Sequence, residues 1–530
     1  MKKLKLLAVT VLLVGLLAAC NSDDKEKVVV STEPDDNFNA EGYPIVDEKV
    51  TISMFGTKVG DMEWKDMEFF KAMEEKTNIA FDFRTPNLDS LATQKNLMFA
   101  SGDYSEIIFA ADLSNEEQIK NGGQGTLIPL EDLIEKYAPN ITAMFEENPE
   151  IKKSVTARDG HIYALPQVAQ GENWYRGPLW YNGAFLEALE VTELPETTDE
   201  LYELLKRFKD EDPNGNGKAD EVPLTANGMD DVRQFFLGAF GVLDSATGLY
   251  VTKEDKVEHS RNQDGYRAYL EYMKKLYDEK LFDSESFSQT DEQKKGKGQE
   301  NRVGLFADWF PFFTLGTPEN GTENPMMQPV KSDLVDEPVI PMGSGITPGV
   351  FAITNVNKNA AASIRWIDFF YSEEGSAILN MGPEGIFWDW ANEEKTVRKQ
   401  NEAPAKFTSA EDWRGSLTPD YGIATPKQTF DIEFEKENEF STWIREETVE
   451  KIHPVGQVPL PHLFLTSEEQ KEINRIRTDI DPYVEQMEAK FISGQEPMEN
   501  WDKYIETLEK MKIDRLVELY DQAYQAYQSN

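Results

Sequence analysis

The sequence predicts an α/β protein with largely parallel sheets. Three observations lead there. Short apolar strands alternate with amphipathic helices from residue 48 onward. The chain runs to 530 residues with 39% hydrophobic content, enough for more than one core. A basic and apolar leader precedes the first regular pattern.

The leader is "MKKLKLLAVTVLLVGLLAAC". Lys2, Lys3 and Lys5 form its basic start, Leu6 to Leu17 an apolar run too short to span a bilayer comfortably, and small residues precede Cys20. This pattern resembles a bacterial lipoprotein signal with a lipobox. The resemblance implies removal of residues 1–19 and lipidation of Cys20, palmitate included, and two acyl signals give stable membrane attachment. Cys20 is the only cysteine, so a disulfide framework is excluded. Residues 20–47 are acidic and lack apolar periodicity. They read as a tether holding the body roughly 25–30 Å from its anchor.

The ordered pattern then begins. "KVTISMFG" (49–56) reads as a strand, "EWKDMEFFKAMEEKTNI" (63–79) as a helix, and "AFDFRTP" (80–86) as the next strand. "SLATQKNLMFASG" (90–102) is a helix closed by Gly102, and "SEIIFA" (105–110) a third strand. Asp112 follows that strand, at the sheet edge where open α/β folds place ligand contacts.

Charge narrows the function. With 54 basic and 97 acidic residues the net charge is −43, which repels nucleic-acid phosphates and anionic membrane surfaces. There is no P-loop, dinucleotide fingerprint, nucleophile elbow or H-E-x-x-H, and the four histidines, His161, His259, His453 and His462, are far apart. Catalysis is therefore not expected.

One stretch carries metal chemistry: "EDPNGNGKADEVP" (211–223), between the helix "TTDELYELLKRFKD" (197–210) and the strand-like "VPLTAN". Calcium takes six to eight oxygens, and D-x-N-x-N-G supplies positions 1, 3 and 5 of an EF-hand-like loop with a turning glycine at 6. Asp212, Asn214 and Asn216 fill those positions, Gly217 makes the turn, Lys218 offers its carbonyl, and Asp220 stands at position 9. Position 12 is Pro223, so Glu221 must close the shell. The expectation is a structural calcium site; a polar turn without metal is the alternative.

Beyond the leader, a succession of segments resembles the extracellular solute-binding proteins of carbohydrate ABC importers. They include "FKAMEEKTNIAFDF", "NLMFASGDYSEIIFA", "GTLIPLEDLIEKYAPNI", "DGHIYALPQV" and "LPETTDELYELLKRFKD". "VGLFADWF" (303–310) and "GVFAITNVNKNAAASIRWIDFFYSEEGS" (349–376) follow in family order, and the C-terminal "YVEQMEAKFISGQEPMENWDKYIETLEKM" (483–511) is similar to the alginate-binding branch. The resemblance implies a two-lobed periplasmic-binding-protein-like fold with a hinge and an interlobe cleft. Lobe one would comprise 48–168 plus 346–395, and lobe two 169–345 plus 396–530. It also implies calcium ligands at Asp212, Asn214, Asn216, Lys218, Asp220 and Glu221, membrane permease subunits as partners, and a monomeric, non-enzymatic carrier on the outer face of the cell membrane.

Sugar rings stack their C–H faces on aromatics while their hydroxyls need polar partners, so a sugar cleft alternates the two. "ENWYRGPLWYN" (172–182) does so after the expected hinge, offering Trp174, Tyr175, Arg176 and Trp180, although "PLWYN" also reads as a buried strand. "ADWFPFF" (307–313) places Trp309 by the resemblance. "GPEGIFWDW" (382–390) adds Trp388 on a glycine-freed loop, with Phe387 and Trp390 as packing. An oligosaccharide is the expected ligand, a neutral one first, because the acidic body disfavours a polyanion. A secreted polysaccharide-active enzyme, an anchored adhesin or sensor, or a peptide-binding lipoprotein is the alternative. The acid-rich 436–451 reads as a solvated helix face, and "QTDEQKKGKGQENR" (289–302) as a polar connector.

Overall fold

The strand and helix periods written into residues 48–110 produce the first sheet of the computed structural model, which describes residues 36–169, 175, 177–317, 321–407, 409–436 and 439–529. Val50–Gly56 (β1) is followed by Glu68–Thr77 (α1), which buries Phe69, Phe70 and Met73 on one face and ends at Asn78 in the left-handed conformation. Ile79–Arg84 (β2), Leu91–Ser101 (α2) and Ile107–Phe109 (β3) complete the unit, and Asn115–Gly123 (α3) opens with a capping box between Ser114 and Glu117. The chain passes through Leu165–Val168 (β4) and leaves this sheet.

The second sheet is smaller. It is built from Leu179–Tyr181 (β5), then Thr198–Asp210 (α4), Val222–Thr225 (β6), Asp230–Phe236 (α5), Asp264–Asp278 (α6), Asp291–Gln299 (α7) and Val303–Ala307 (β7). In α4 the Thr197 hydroxyl accepts from the Glu200 amide at 3.2 Å and the Glu200 carboxylate from the Thr197 amide at 3.1 Å. Its buried face carries Leu201, Leu204, Leu205 and Phe208.

Ile346–Ile353 (β8) returns to the first sheet, giving the strand order β2-β1-β3-β8-β4; the second sheet is ordered β5-β7-β6. The expectation of largely parallel sheets needs correction. β1 is parallel to β2 and β3, but β8 is antiparallel to both β3 and β4, and β5 is antiparallel to β7. A strand that re-enters a sheet from another body is not bound by the right-handed crossover that keeps consecutive β-α-β strands parallel.

Each sheet has its own apolar core. One gathers residues from Ile45 to Leu379, among them Trp64, Phe109 and Trp366; the other gathers Tyr175 to Ile340 with Phe440 to Tyr527. The latter takes in Glu439–Lys451 (α8), Ser467–Ile492 (α9) and Ile513–Ser529 (α10). A satellite cluster joins Ala377, Met381, Phe387 and Trp388 to Trp413 and Leu417. The Leu417 carbonyl accepts from the Phe69 amide at 3.0 Å, so residues 413–417, assigned by sequence to lobe two, pack beside the first sheet.

Three stretches of chain meet where the bodies join. The Val168 amide donates to the Lys427 carbonyl at 2.8 Å, the Thr429 amide to the Val168 carbonyl at 2.7 Å, and the Ala169 amide to the Gly345 carbonyl at 2.7 Å. Farther along the seam, Asn115 donates to the Leu463 carbonyl at 2.7 Å and Arg158 pairs with Glu469 at 2.8 Å.

Candidate ligand-binding site

β6 and β7 run parallel, and the chain leaves their carboxyl ends at Asn227 and Asp308. This is the edge at which an open α/β sheet offers a crevice. The turn after β7 is held by Asp308, whose carboxylate accepts from the Trp309 amide at 2.7 Å and from the Thr314 hydroxyl at 2.7 Å. The turn thus presents the Trp309 ring, 51% exposed, beside Phe313 at 44%.

Both rings border a cavity of about 370 Å³ lined also by Gly177, Asn227, Asp231, Asp291, Lys294 and Lys295. Lys294 is buried, which an ammonium tolerates only when its donors are satisfied. It donates to the Ala307 carbonyl at 2.6 Å and pairs with Asp291 at 3.1 Å and Asp308 at 3.5 Å. Asp231 accepts from the Asn227 amide at 3.1 Å, and burial pushes its carboxyl above the usual range. An apolar face over a floor of fixed acceptors and donors suits a ring with an apolar face and hydroxyl edges.

The structure distributes the sequence-predicted residues unevenly. Trp309 lines this cavity. Tyr175 is buried, its hydroxyl donating to Gln234 at 3.0 Å and its amide to Thr448 at 3.1 Å. Trp180 is wholly buried, donating from Nε1 to the Asp308 carbonyl at 3.0 Å and stacking on Trp443 at 5.7 Å. Trp388 sits in the satellite cluster with Nε1 bonded to the Gly382 carbonyl at 2.9 Å, so it packs with Phe387 instead of standing out on a loop. Asp112 is exposed after β3, at a φ of 49°, its carbonyl accepting from Lys95 at 2.5 Å. Trp174, Arg176 and Cys20 lie outside the described residues.

Asn227, Asp231, Asp291, Lys294 and Phe313 escaped the sequence reading. The polar connector expected over 289–302 contains a helix, α7, opened by a capping box between Thr290 and Gln293. That spacing was the available signal.

The Asp212 loop folds on itself. Asp212 accepts from the Asn216 amide at 3.1 Å and the Gly217 amide at 2.9 Å, and Asn216 accepts from the Lys218 amide at 2.8 Å. The Asn216 side-chain amide donates to Asp220 at 3.0 Å, and the Asp220 carbonyl accepts from Arg302 at 2.9 Å. Glu221 Oε1 is buried without a hydrogen-bond partner, and its carboxyl is raised by burial and then by the charges of Asp212 and Asp220. An orphaned carboxylate oxygen beside two more carboxylates is donor chemistry that fits a hard cation. Among the described residues, however, no group of three or more His, Cys, Asp or Glu stands ready to hold a metal. No helix among them is long and apolar enough to cross a membrane.

Two α/β bodies, joined by several chain crossings and bearing a polar cavity with exposed aromatics at a sheet edge, define a binding protein. The chain belongs to the bacterial extracellular solute-binding proteins, whose family model matches residues 59–377. It is 29% identical over 544 residues to the fructooligosaccharide ABC transporter substrate-binding protein FusA of Streptococcus pneumoniae serotype 4, covering 97% of this chain and 96% of that one. It is 22% identical to the polygalacturonan/rhamnogalacturonan-binding protein YtcQ of Bacillus subtilis, over 98% of both chains. The solved structure of a FusA EF-hand mutant with fructo-nystose superposes with a TM-score of 0.70 at 25% identity, covering 91% of this chain and 100% of that one.

Proposed function

We propose that this protein is the substrate-binding component of an ABC importer, that it captures a neutral oligosaccharide, and that fructooligosaccharides are the first class to test. The observation that carries the reading is Trp309, half exposed over a cavity floored by Asp231, Asp308 and Lys294. Resemblance along the whole chain to FusA supports the transport role and the ligand class. Among the described residues, the fixed charges around the cavity are three carboxylates, Asp231, Asp291 and Asp308, against two ammoniums, Lys294 and Lys295. That balance favours hydroxyls over the carboxylates of a uronate.

In this reading the sheet edge bearing Asp112 and the edge bearing Trp309 close on the solute. Residues 168–169, 345–346 and 427–429 form the hinge, and permease subunits engage the closed form. Lobe one takes in the described residues up to 168 with those from 346 to about 429, and lobe two the other described residues. Cys20 carries the lipid anchor. Calcium occupies the Asp212 loop, drawing on Asp212, Asn214, Asn216, the Lys218 carbonyl, Asp220 and Glu221, with the orphaned Glu221 oxygen and the EF-hand of FusA in support. Its role is to pin α4 to β6.

Isothermal titration of the purified protein with kestose, nystose, maltotriose and a galacturonate trimer tests the ligand class. Saturable binding of a neutral chain is expected. Binding of galacturonate alone, or hydrolysis of any of the four, would overturn it.

A further inference from the structure

Two buried lysines occupy matching places in the two bodies. Lys294 lies early in α7, the helix before β7, and reaches the far end of that strand at Ala307 and Asp308. Lys95 lies in the first half of α2, the helix before β3, and does the same. Its ammonium donates to the Ala111 carbonyl at 3.1 Å and the Asp112 carbonyl at 2.5 Å, and pairs with Glu117 at 2.9 Å. The strands also end alike, β3 running into Phe109, Ala110, Ala111 and Asp112, and β7 into Phe306, Ala307 and Asp308. A helix that crosses back over its sheet puts its amino-terminal half beside the carboxyl ends of the strands, the edge where an open α/β sheet offers ligand contacts. Both lysines stand there.

The turn that Lys95 holds is strained. Ala110 and Asp112 both have left-handed backbones, with φ of 50° and 49°, which residues bearing a Cβ adopt only under constraint. The Ala110 amide donates to the Val350 carbonyl at 2.7 Å and the Leu113 amide to the Gly349 carbonyl at 2.9 Å, pinning the two ends of the turn to β8. The carbonyls between those pins are the ones Lys95 takes. What the turn presents differs from its counterpart. Asp308 folds its carboxylate back onto the Trp309 amide and the Thr314 hydroxyl, whereas the Asp112 carboxylate is exposed and, among the described residues, has no partner. One edge offers a ring to stack on, the other a charged acceptor for hydroxyls.

We propose that Lys95 is a positioning residue for sugar capture: by holding the strained 110–112 turn it fixes the Asp112 carboxylate as an acceptor for a sugar hydroxyl, as Lys294 fixes the turn that presents Trp309. Lys95 does not itself touch the ligand, because its three donors are engaged by the turn and by Glu117. The proposal rests on the oligosaccharide reading above.

The test is a double-mutant cycle read by calorimetric titration with kestose, or with whichever neutral saccharide of the series above the wild type binds, each variant being titrated well below its own melting temperature. Asp112→Asn keeps a side chain suited to the left-handed backbone but loses the charge, and should weaken binding about tenfold. Lys95→Met keeps the length without the donors and should weaken it about as much. The double variant should bind within about twofold of the weaker single variant, because a lysine that acts through Asp112 then has nothing left to position. A lysine that only supports the fold would lower the melting temperature and leave Kd unchanged, or its effect would multiply with that of Asp112→Asn to about a hundredfold. Either result overturns the proposal. If Lys95→Met does not fold, Lys95→Gln, which retains a donor, takes its place in the cycle. An Asp112→Asn variant that binds as tightly as the wild type overturns the proposal whatever the lysine variants do. If the wild type itself binds no neutral saccharide, the oligosaccharide reading has failed and the proposal with it.

Discussion

Two tryptophans in the second body, Trp180 within β5 and Trp309 just past the end of its partner strand β7, differ sharply: one is wholly buried and the other half exposed. Trp180 lies within β5, where Leu179, Trp180 and Tyr181 are all buried, because the small sheet is covered on both faces and alternation brings no residue to solvent. Trp309 lies two residues past the end of β7, in a turn that Asp308 shapes with its own carboxylate. The two are linked: the Asp308 carbonyl accepts from the Trp180 indole. A core tryptophan thus fixes the turn that presents a surface one, so position relative to the strand end, not residue type, separates scaffold from binding site.

The largest effect should come from Trp180→Ala. Removing a fully buried indole stacked on Trp443 costs about 3–5 kcal/mol of stability, seen as a lower denaturant midpoint for the second body. If the midpoint hardly moves while sugar affinity collapses, the division of labour between the two tryptophans is wrong. Trp309→Ala should do the reverse. Losing one stacking face costs about 1–2 kcal/mol of binding, roughly five- to thirtyfold in Kd, while the melting temperature stays within a degree or two. A Trp309→Phe variant that recovers most of the affinity would sharpen the assignment to ring stacking, whereas equal loss in Phe and Ala would point to the indole N–H.

The Asp212 loop carries the same contrast to a third place, where a device stabilises without touching ligand. At calcium ten times its dissociation constant, chelation should remove about 1.4 kcal/mol and lower the melting temperature, while affinity measured well below that temperature persists. Asp212→Ala should erase the calcium dependence. Should chelation instead abolish sugar binding at constant melting temperature, the ion belongs to the binding site.

Much of this was legible before any coordinates. The β-α-β-α-β start appears at the expected residues because its periods are clean, and α4 begins where Thr197 and Glu200 announce it. Trp309 was singled out by the resemblance that "ADWFPFF" carries, and it lies in the turn after a five-residue buried strand. What stayed hidden depended on contacts remote in sequence. Helix α7, "DEQKKGKGQ", is charged and holds two glycines, so neither propensity nor an apolar stripe reveals it; what orders it is Lys294 reaching the Ala307 carbonyl and Asp308. Trp413 and Leu417 join the first sheet's side through Phe387 and Phe69, partners that no local pattern names. The antiparallel entry of β8 follows from the path of the whole chain and not from its own residues.

The smallest predicted effect lies at the seam between the bodies. The His462 Nε2 and the Asn115 side-chain oxygen are 2.6 Å apart, and burial lowers the imidazole from its ordinary 6.5 to about 4. The folded form therefore prefers the neutral ring, and protonation favours the unfolded chain. The contribution is complete above pH 6.5 and is lost progressively as pH falls from there to about 4. At pH 6 the loss is under about 1 kcal/mol, and it grows toward pH 4.5. His462→Gln can still donate to Asn115 without titrating. Measured by urea midpoints between pH 7 and 4.5, its stability should fall less steeply than that of the wild type, the two curves converging at neutral pH. Parallel curves throughout would mean that His462 gains its proton in the folded protein without resistance, and the seam there is more open to water than its packing against Phe464 indicates.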